Sequence, residues 1–198
     1  MGTRLGVMGG TFDPIHYGHL VTAEEALVQF ALDSVLFVPT GRPWMKEHRE
    51  VSPAEDRYLM TVIATASNPL FRVSRMEVDR DGPTYTVETL KSLKAEHGDG
   101  TDLYFITGAD AIHEIVQWKD QDELKGLAHF IAATRPGYSI ASVEAPPGND
   151  LPEIITMNIP ALAISSTDIR ARVAAGRPIR YLVPEGVKSY VEKAGLYR

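Results

Sequence analysis

The chain has 198 residues, 44% of them apolar and 23% charged, which is ordinary for a globular protein with one sizeable core. Its formal net charge of −6 argues against nonspecific nucleic-acid binding, and a sequence without cysteine excludes disulfides, thiolate nucleophiles and cysteine-ligated metals. No apolar run approaches membrane-spanning length, and the N-terminus lacks the apolar core of a signal peptide. We therefore expect a cytoplasmic protein that binds neither nucleic acid nor membrane, folded as a single domain over residues 1–198.

The first twenty residues combine a strand, a glycine pair and two histidines. The apolar run Leu5–Met8 predicts a buried strand, and Gly9–Gly10 predicts a sharp turn in which backbone approaches a ligand closely. Apolar residues at helical spacing then predict a helix that opens near Gly18. A helix start binds phosphate, because its first amides are unpaired and its dipole end is positive. His16 and His19 lie at this start, and imidazole can donate a hydrogen bond to a phosphoryl oxygen and adds charge when protonated.

Two common nucleotide-binding patterns are absent from this stretch. It has neither the three-glycine spacing of the dinucleotide fingerprint nor the Gly-Lys-Ser/Thr of a Walker loop. The plainer alternative is a glycine loop with two solvated histidines. The apolar strand before the glycines and the amphipathic helix after them favour a phosphate site.

Strands and helices alternate along the rest of the chain. Apolar runs predict strands over residues 34–38, 71–74, 103–107, 129–133 and 154–159. Capping residues and helical spacing predict helices that begin at Ser52 with Pro53 in the first helical position, at Thr84, beyond Asp110, at Ser165 and after Pro184. The strand–helix–strand start implies a right-handed parallel crossover. We therefore predict an α/β fold of the Rossmann-like, doubly wound type, with a mainly parallel sheet and helices on both faces.

Candidate ligand-binding residues follow two of the later strands. Gly108 and Asp110 come at the end of the clearest strand, where open parallel sheets bind ligands. The Asp110 carboxylate can accept bonds from two ribose hydroxyls, although an aspartate here is also a common helix cap. Trp118 offers a flat ring for stacking on a pyridine or adenine, although a core role is more usual for tryptophan. Arg135 follows the next strand and faces either phosphates or solvent.

Residues 165–170 read Ser-Ser-Thr-Asp-Ile-Arg and form a second candidate phosphate site. Hydroxyls before an apolar helical pattern are typical of a helix N-terminus, and capping alone would explain them. Capping does not require Arg170, whose planar guanidinium can bind two phosphate oxygens at once.

The two motifs carry a resemblance to a known family. The stretch from Gly9 to Leu20 resembles the N-terminal signature of the nucleotidyltransferase superfamily, His-x-Gly-His after the first strand. Within the superfamily the chain resembles the bacterial nicotinate-mononucleotide adenylyltransferases from about Leu5 to Tyr197. Their second signature, Ser-Ser-Thr-x-Ile-Arg, matches residues 165–170 and places the second phosphate motif in the C-terminal part, about 165–198.

The resemblance implies an activity and a set of site residues. The activity is transfer of AMP from ATP to nicotinate mononucleotide, which gives deamido-NAD and pyrophosphate in NAD biosynthesis. The implied catalytic residues are His16, His19 and Arg170. The implied ATP-binding residues are Gly9, Gly10, Thr11, Phe12, Gly18, Gly108, Asp110, Ser165, Ser166 and Thr167. The implied pyridine-nucleotide-binding residues are Lys46, Thr84, Tyr85, Thr86, Trp118 and Arg135.

One loop departs from the family pattern. The family's substrate loop reads Pro-Pro-His-Lys, whereas this chain reads Pro43-Trp44-Met45-Lys46, so that Met45 stands in place of the histidine and Lys46 is kept. The resemblance also implies Mg²⁺ carried by the ATP phosphates, because this ion prefers substrate oxygens and water to a full protein cage. We expect no separate metal site, and a homodimer or higher homo-oligomer is compatible with the sequence.

This reaction needs residues that align the substrates and stabilise the developing charge, and it needs none that abstracts a proton. The attacking phosphate is already an anion, because its second pKa is about 6, so that neither a general base nor a covalent nucleophile is required. Alternatives are a pantetheine-phosphate adenylyltransferase, a cytidylyltransferase and a noncatalytic nucleotide-binding module. Release of pyrophosphate from ATP would separate an enzyme from the last of these.

Overall fold

The structure, a computed structural model, describes residues 2–43, 51–98, 100–108, 120–134 and 152–198. The strands in these ranges are β1 (Thr3–Gly10), β2 (Ser34–Pro39), β3 (Arg42–Pro43), β4 (Phe71–Val73), β5 (Pro83–Thr84), β6 (Thr101–Gly108), β7 (His129–Thr134) and β8 (Ile154–Asn158). The helices are α1 (Tyr17–Gln29), α2 (Ala54–Thr65), α3 (Thr86–His97), α4 (Gln121–Leu124), α5 (Ser166–Ala174) and α6 (Glu185–Ala194). None of these helices is long and apolar enough to cross a membrane.

Six of the strands form one sheet in the order β4-β2-β1-β6-β7-β8. Every neighbouring pair in this sheet is parallel. The chain builds outward from β1, first through β2 and β4 and then through β6, β7 and β8. The strand order therefore reverses between β1 and β6, and open parallel sheets bind ligands at the carboxyl ends of strands at such a point. β3 and β5 pair with each other in a separate two-stranded sheet.

Helices cover both faces of the main sheet. Successive residues of a strand point to opposite faces, and this alternation divides the core in two. Val7 of β1 belongs to a cluster with Leu90 of α3 and Leu124 of α4. Its neighbour Met8 belongs to the cluster that contains Met60 of α2 and residues of α1, α5 and α6. The α/β, doubly wound, mainly parallel prediction is confirmed.

Two predicted helix starts are displaced. The sequence places Ser52 as the cap of α2 and Pro53 inside the helix, but α2 begins at Ala54 and Pro53 is its N-cap. The Ser52 carbonyl instead accepts a hydrogen bond from the side chain of Arg57 within α2. The N-cap of α3 is Tyr85 rather than Thr84, because Thr84 is paired with β3 in the two-stranded sheet.

An arginine inside α2 ties together the loops at the carboxyl edge of the sheet. Arg57 is 1% exposed, and its guanidinium donates to backbone carbonyls from three chain segments. Nη1 donates to Thr11 at 2.8 Å and to Thr40 at 2.6 Å, Nη2 donates to Gly41 at 2.8 Å, and Nε donates to Ser52 at 2.9 Å. These bonds fix the ends of β1 and β2 and the start of α2 relative to one another.

We predict that Arg57→Met lowers the free energy of unfolding by at least ~3 kcal/mol, because it leaves several buried carbonyls without a donor. The exposed Arg72 on β4 provides the control, and Arg72→Met should change the free energy by less than about 0.5 kcal/mol. Equilibrium unfolding in urea at neutral pH measures both. Equal, small effects of the two substitutions would show that the Arg57 bonds do not support the fold.

Candidate active site

The loop between β1 and α1 forms one side of the site. β1 continues through Gly10, and the chain turns at Phe12, whose φ is +49°, so the predicted turn at the glycine pair is wrong. The two glycines instead allow close packing. A Cβ on Gly10 would lie 2.8 Å from the Phe12 ring, and one on Gly9 would lie 3.1 Å from the Phe105 ring. The Phe12 ring in turn meets the His19 ring edge-on, with centroids 5.1 Å apart.

The two histidines form a stacked pair at the start of α1. Their ring centroids are 3.8 Å apart with an interplanar angle of 23°. The backbone N–H of His16 donates to Nδ1 of His19 at 3.2 Å. Because Nδ1 accepts this bond, the neutral His19 imidazole carries its proton on Nε2, the nitrogen that can donate to a ligand.

His16 is an uncharged group at neutral pH. The residue is 6% exposed, and burial lowers the pKa of its imidazole to about 4. Its Nδ1 is buried and has no hydrogen-bond partner among the described residues. His16 therefore offers a neutral hydrogen-bonding group, and the positive charge expected of a protonated imidazole is absent at this position.

The start of α1 offers fewer backbone donors than its sequence pattern predicts. The amide of Tyr17 donates to the carbonyl of Leu182 at 3.2 Å, and the amide of His19 donates to the carbonyl of His16 at 3.0 Å. Side chains must therefore supply much of the hydrogen bonding to a phosphate at this end. The Tyr17 bond also attaches the helix start to the C-terminal part of the chain.

The second motif lies directly against this loop. Ser165 is the N-cap of α5, and its Oγ accepts from the amide of Asp168 at 3.2 Å. Ser166 Oγ donates to the Pro14 carbonyl at 2.9 Å. Arg170 Nη1 donates to the Asp13 carbonyl at 2.5 Å. The fold thus joins two motifs that are about 150 residues apart in sequence.

The Arg170 guanidinium is held at both of its terminal nitrogens. Besides the bond from Nη1, Nη2 donates to Thr167 Oγ1 at 3.2 Å. The Asp13 carboxylate lies 4.0 Å from Nη1. The orientation of this cation is therefore set before any ligand binds.

Two adjoining cavities open where the motifs meet. The larger cavity, of about 390 Å³, is lined by Met8, His16, Gly18, His19, Thr22, Gly108, Ala133, Thr134, Ile159, Leu162, Ile164, Ser165 and Ser166. The smaller cavity, of about 130 Å³, is lined by Thr11, Phe12, Asp13, His19, Val51, Ser166, Thr167 and Arg170. His19 and Ser166 line both, so these two side chains stand at the boundary between the cavities.

Most of the residues expected to bind ATP line one of these cavities, but Gly9 and Gly10 line neither. Thr84, Tyr85 and Thr86 also line neither; they lie where β5 leads into α3. Lys46, Asp110, Trp118 and Arg135, and also Met45, fall outside the described residues. The described ranges contain no cluster of three or more His, Asp or Glu side chains that could hold a metal ion.

Sequence reasoning missed the apolar lining of the larger cavity. Ile159, Leu162 and Ile164 follow β8, and Ala133 is the penultimate residue of β7. The position of Ala133 at the carboxyl edge of a predicted strand could have indicated it. Ile159 ends the strand predicted over residues 154–159 and could have been indicated in the same way, whereas Leu162 and Ile164 come from an irregular segment that carries no such signal.

Comparisons with known proteins identify the family. Residues 7–172 match the family model described as cytidylyltransferase-like. A protein of Saccharopolyspora erythraea named "Probable nicotinate-nucleotide adenylyltransferase" is 60% identical over 195 residues, which cover 98% of this chain and 90% of that protein. A protein of Streptomyces coelicolor with the same name is 60% identical over 191 residues, 96% of this chain and 99% of that protein.

A solved structure shares the fold. The Plasmodium falciparum nicotinic acid mononucleotide adenylyltransferase complexed with NaAD matches with a TM-score of 0.80 at 21% identity, over 98% of this chain and 97% of that chain. The chain belongs to the cytidylyltransferase-like family and, within it, to the nicotinate-nucleotide adenylyltransferases. The resemblance drawn from the sequence is confirmed.

We predict that Gly18→Ala lowers kcat about 100-fold, the scale of a displacement of about 1 Å in a reacting group. A Cβ on Gly18 would lie 2.9 Å from Nδ1 and 3.0 Å from Cε1 of His16, so that the His16 ring must shift. Stability should not fall by a comparable amount, because alanine favours the helix more than glycine does. Gly126→Ala is the control, since a Cβ there meets nothing within 4 Å. Steady-state kinetics and thermal unfolding of both variants check this; a fully active Gly18→Ala would contradict the assigned packing.

Proposed function

We propose that this protein transfers AMP from ATP to nicotinate mononucleotide, and that residues 1–198 act as one nucleotidyltransferase domain. A phosphate oxygen of nicotinate mononucleotide attacks the α-phosphorus of ATP, the bond from that phosphorus to the β-phosphate oxygen breaks, and pyrophosphate leaves. The product is deamido-NAD, an intermediate of NAD biosynthesis. The observation that carries the proposal is the joining of the two phosphate motifs through Ser166–Pro14 and Arg170–Asp13.

The two cavities suit the two halves of ATP. The apolar side chains of Met8, Ile159 and Leu162 in the larger cavity suit an adenine ring. The hydroxyls of Thr11 and Thr167 and the guanidinium of Arg170 in the smaller cavity suit the phosphates. The α-phosphorus would then lie at the boundary between the cavities, where His19 and Ser166 can both reach it.

Charge stabilisation is the main catalytic contribution of the chain in this proposal. The nucleophile arrives as an anion, so His16 and His19 are not needed as bases. His19 donates from Nε2 to the α- and β-phosphates, and His16 contributes as a neutral hydrogen-bonding group, in keeping with its lowered pKa. Arg170 carries the fixed positive charge on the side of the leaving pyrophosphate. Donors fixed in advance around developing charge are the most effective form of such stabilisation.

Mg²⁺ fits the site as an ion carried by the substrate. The described residues offer the hydroxyls of Thr11, Ser166 and Thr167 around the smaller cavity but no cluster of carboxylates that could hold the metal alone. Octahedral Mg²⁺ keeps several waters and binds phosphate oxygens readily. When bound there, it would neutralise part of the triphosphate charge; the hydroxyls of Thr11 and Thr167 would orient the same phosphates, while Ser166, whose hydroxyl donates to the Pro14 carbonyl, would offer oxygen lone pairs to the ion.

The start of α3 suits the carboxylate of the nicotinate ring. Tyr85 is the N-cap with φ −126° and ψ 138°, and Thr86 is the first helical residue. The amide of Glu88 donates to the Tyr85 carbonyl at 3.1 Å, which leaves the amides of Thr86 and Val87 as the donors at the positive end of the helix. Nicotinate accepts from two such amides, whereas the amide group of nicotinamide turns an N–H donor toward one of them. Lys46, Trp118 and Arg135 remain predicted contacts of the same substrate.

We predict that kcat/KM for nicotinate mononucleotide exceeds that for nicotinamide mononucleotide by at least ~10²-fold, since an unmatched buried donor and a lost charge-assisted bond act together. Pyrophosphate release is measured with ATP and, in parallel, nicotinate mononucleotide, nicotinamide mononucleotide and phosphopantetheine. A parallel reaction with CTP tests the cytidylyltransferase alternative. A preference for phosphopantetheine or CTP, or equal use of both mononucleotides, would contradict the proposal.

Thr86→Pro tests the backbone contact within the same assay. Proline is tolerated as the first residue of a helix, and the extended conformation of Tyr85 suits a residue that precedes proline. The substitution therefore removes one amide donor and should leave the helix intact. We expect the preference for nicotinate to fall about tenfold or more. An unchanged preference would show that this amide does not contact the ring carboxylate.

A further inference from the structure

A buried carboxylate lies beneath the Arg170 guanidinium. Asp13 is 4% exposed and lines the smaller cavity. Its Oδ1 accepts from the Tyr197 hydroxyl at 2.7 Å, and its Oδ2 faces the amide of Ser52 at 3.5 Å. The same residue contacts Arg170 twice, through its carbonyl at 2.5 Å and its carboxylate at 4.0 Å.

These contacts connect Tyr197, in the C-terminal segment, through Asp13 to Arg170, which lines the smaller cavity. A carboxylate buried to this extent requires partners that satisfy its oxygens, and Tyr197 satisfies one of them. Burial and the nearby charge of Asp13 raise the pKa of Tyr197 above its ordinary value, so the hydroxyl remains a donor at all physiological pH values. Tyr197 thereby fixes Asp13, and Asp13 fixes the guanidinium that faces the cavity.

We propose that Asp13 and Tyr197 are positioning residues for Arg170, and this inference rests on the proposed nucleotidyl transfer. Neither needs to touch a substrate. Their effect passes through Arg170, whose guanidinium must be oriented before the charge on the leaving pyrophosphate develops. Loss of the Tyr197 hydroxyl should therefore lower kcat more than it raises KM for ATP, because positioning matters most in the transition state.

The chain contains a closely matched control. Tyr190 also donates to an aspartate at 2.7 Å, namely to Oδ1 of Asp56. Both tyrosines are half-buried and pack against the same core cluster. The Tyr190 bond joins α6 to α2 and contacts neither motif. Tyr190→Phe and Tyr197→Phe therefore each remove one tyrosine–aspartate bond, and only the second removes a bond in the site.

The test is a double-mutant cycle between Tyr197→Phe and Arg170→Lys, with kcat and KM for ATP measured by pyrophosphate release. Tyr197→Phe alone should lower kcat about tenfold, the rate equivalent of one ordinary hydrogen bond. In the Arg170→Lys background it should lower kcat by less than about twofold, because residues that act through one group are not additive. Tyr190→Phe should leave kcat unchanged in either background while lowering Tm as much as Tyr197→Phe does.

Three results would overturn the inference. One is an unchanged kcat in Tyr197→Phe, and another is a tenfold loss that persists in the Arg170→Lys background. The third is an equal loss of kcat in Tyr190→Phe.

If Tyr197→Phe fails to fold, Asp13→Asn enters the same cycle, since it keeps the carbonyl bond to Arg170 and removes the charge. Wild-type protein that releases no pyrophosphate would refute the proposed function and this inference together, whereas an active wild type with an additive cycle refutes the inference alone.

Discussion

The buried guanidinium of Arg57 is the interaction on which the geometry of the site depends. A cation taken out of water requires hydrogen bonds for its donors, and Arg57 finds them in the carbonyls of Thr11, Thr40, Gly41 and Ser52. Burial lowers its pKa while the charge of Asp13 raises it, and a guanidinium keeps its proton in proteins. These bonds hold the loops that follow β1 and β2 and the start of α2 in one fixed arrangement at the carboxyl edge of the sheet.

The remaining contacts extend this arrangement to the second motif. Ser166 and Arg170 bond to the carbonyls of Pro14 and Asp13, in the loop whose first residue, Thr11, is bonded by Arg57. The backbone that borders the smaller cavity is therefore held by Arg57 on one side and by Ser166 and Arg170 on the other. A rigid surround of this kind suits a reaction that needs alignment and charge stabilisation more than proton transfer. His16 is buried and uncharged in this surround, and its neutral imidazole can still donate or accept a hydrogen bond.

The sequence predicted the elements that surround the candidate site well and the connections between them poorly. Periodicity and motif spacing predicted the parallel sheet and placed His19 and Ser165 at helix starts, because these features depend on neighbouring residues. The role of Arg57 was not predictable, since an arginine in an amphipathic helix resembles a surface residue and its partners are backbone carbonyls, which any sequence supplies. Tyr197 was missed for a related reason: its partner Asp13 lies 184 positions away. The displaced turn at Phe12 shows that glycine pairs can serve close packing as well as positive φ.

The most direct test of the account is the effect of His19→Ala on pyrophosphate release from ATP and nicotinate mononucleotide. His19 stands at the boundary of both cavities, and loss of its donor should lower kcat by about 10²–10³, the scale of one missing transition-state hydrogen bond. His97→Ala, at the exposed end of α3, serves as the control and should leave kcat unchanged. An active, folded His19→Ala would contradict the account, as would a loss of rate that merely follows a loss of folded protein.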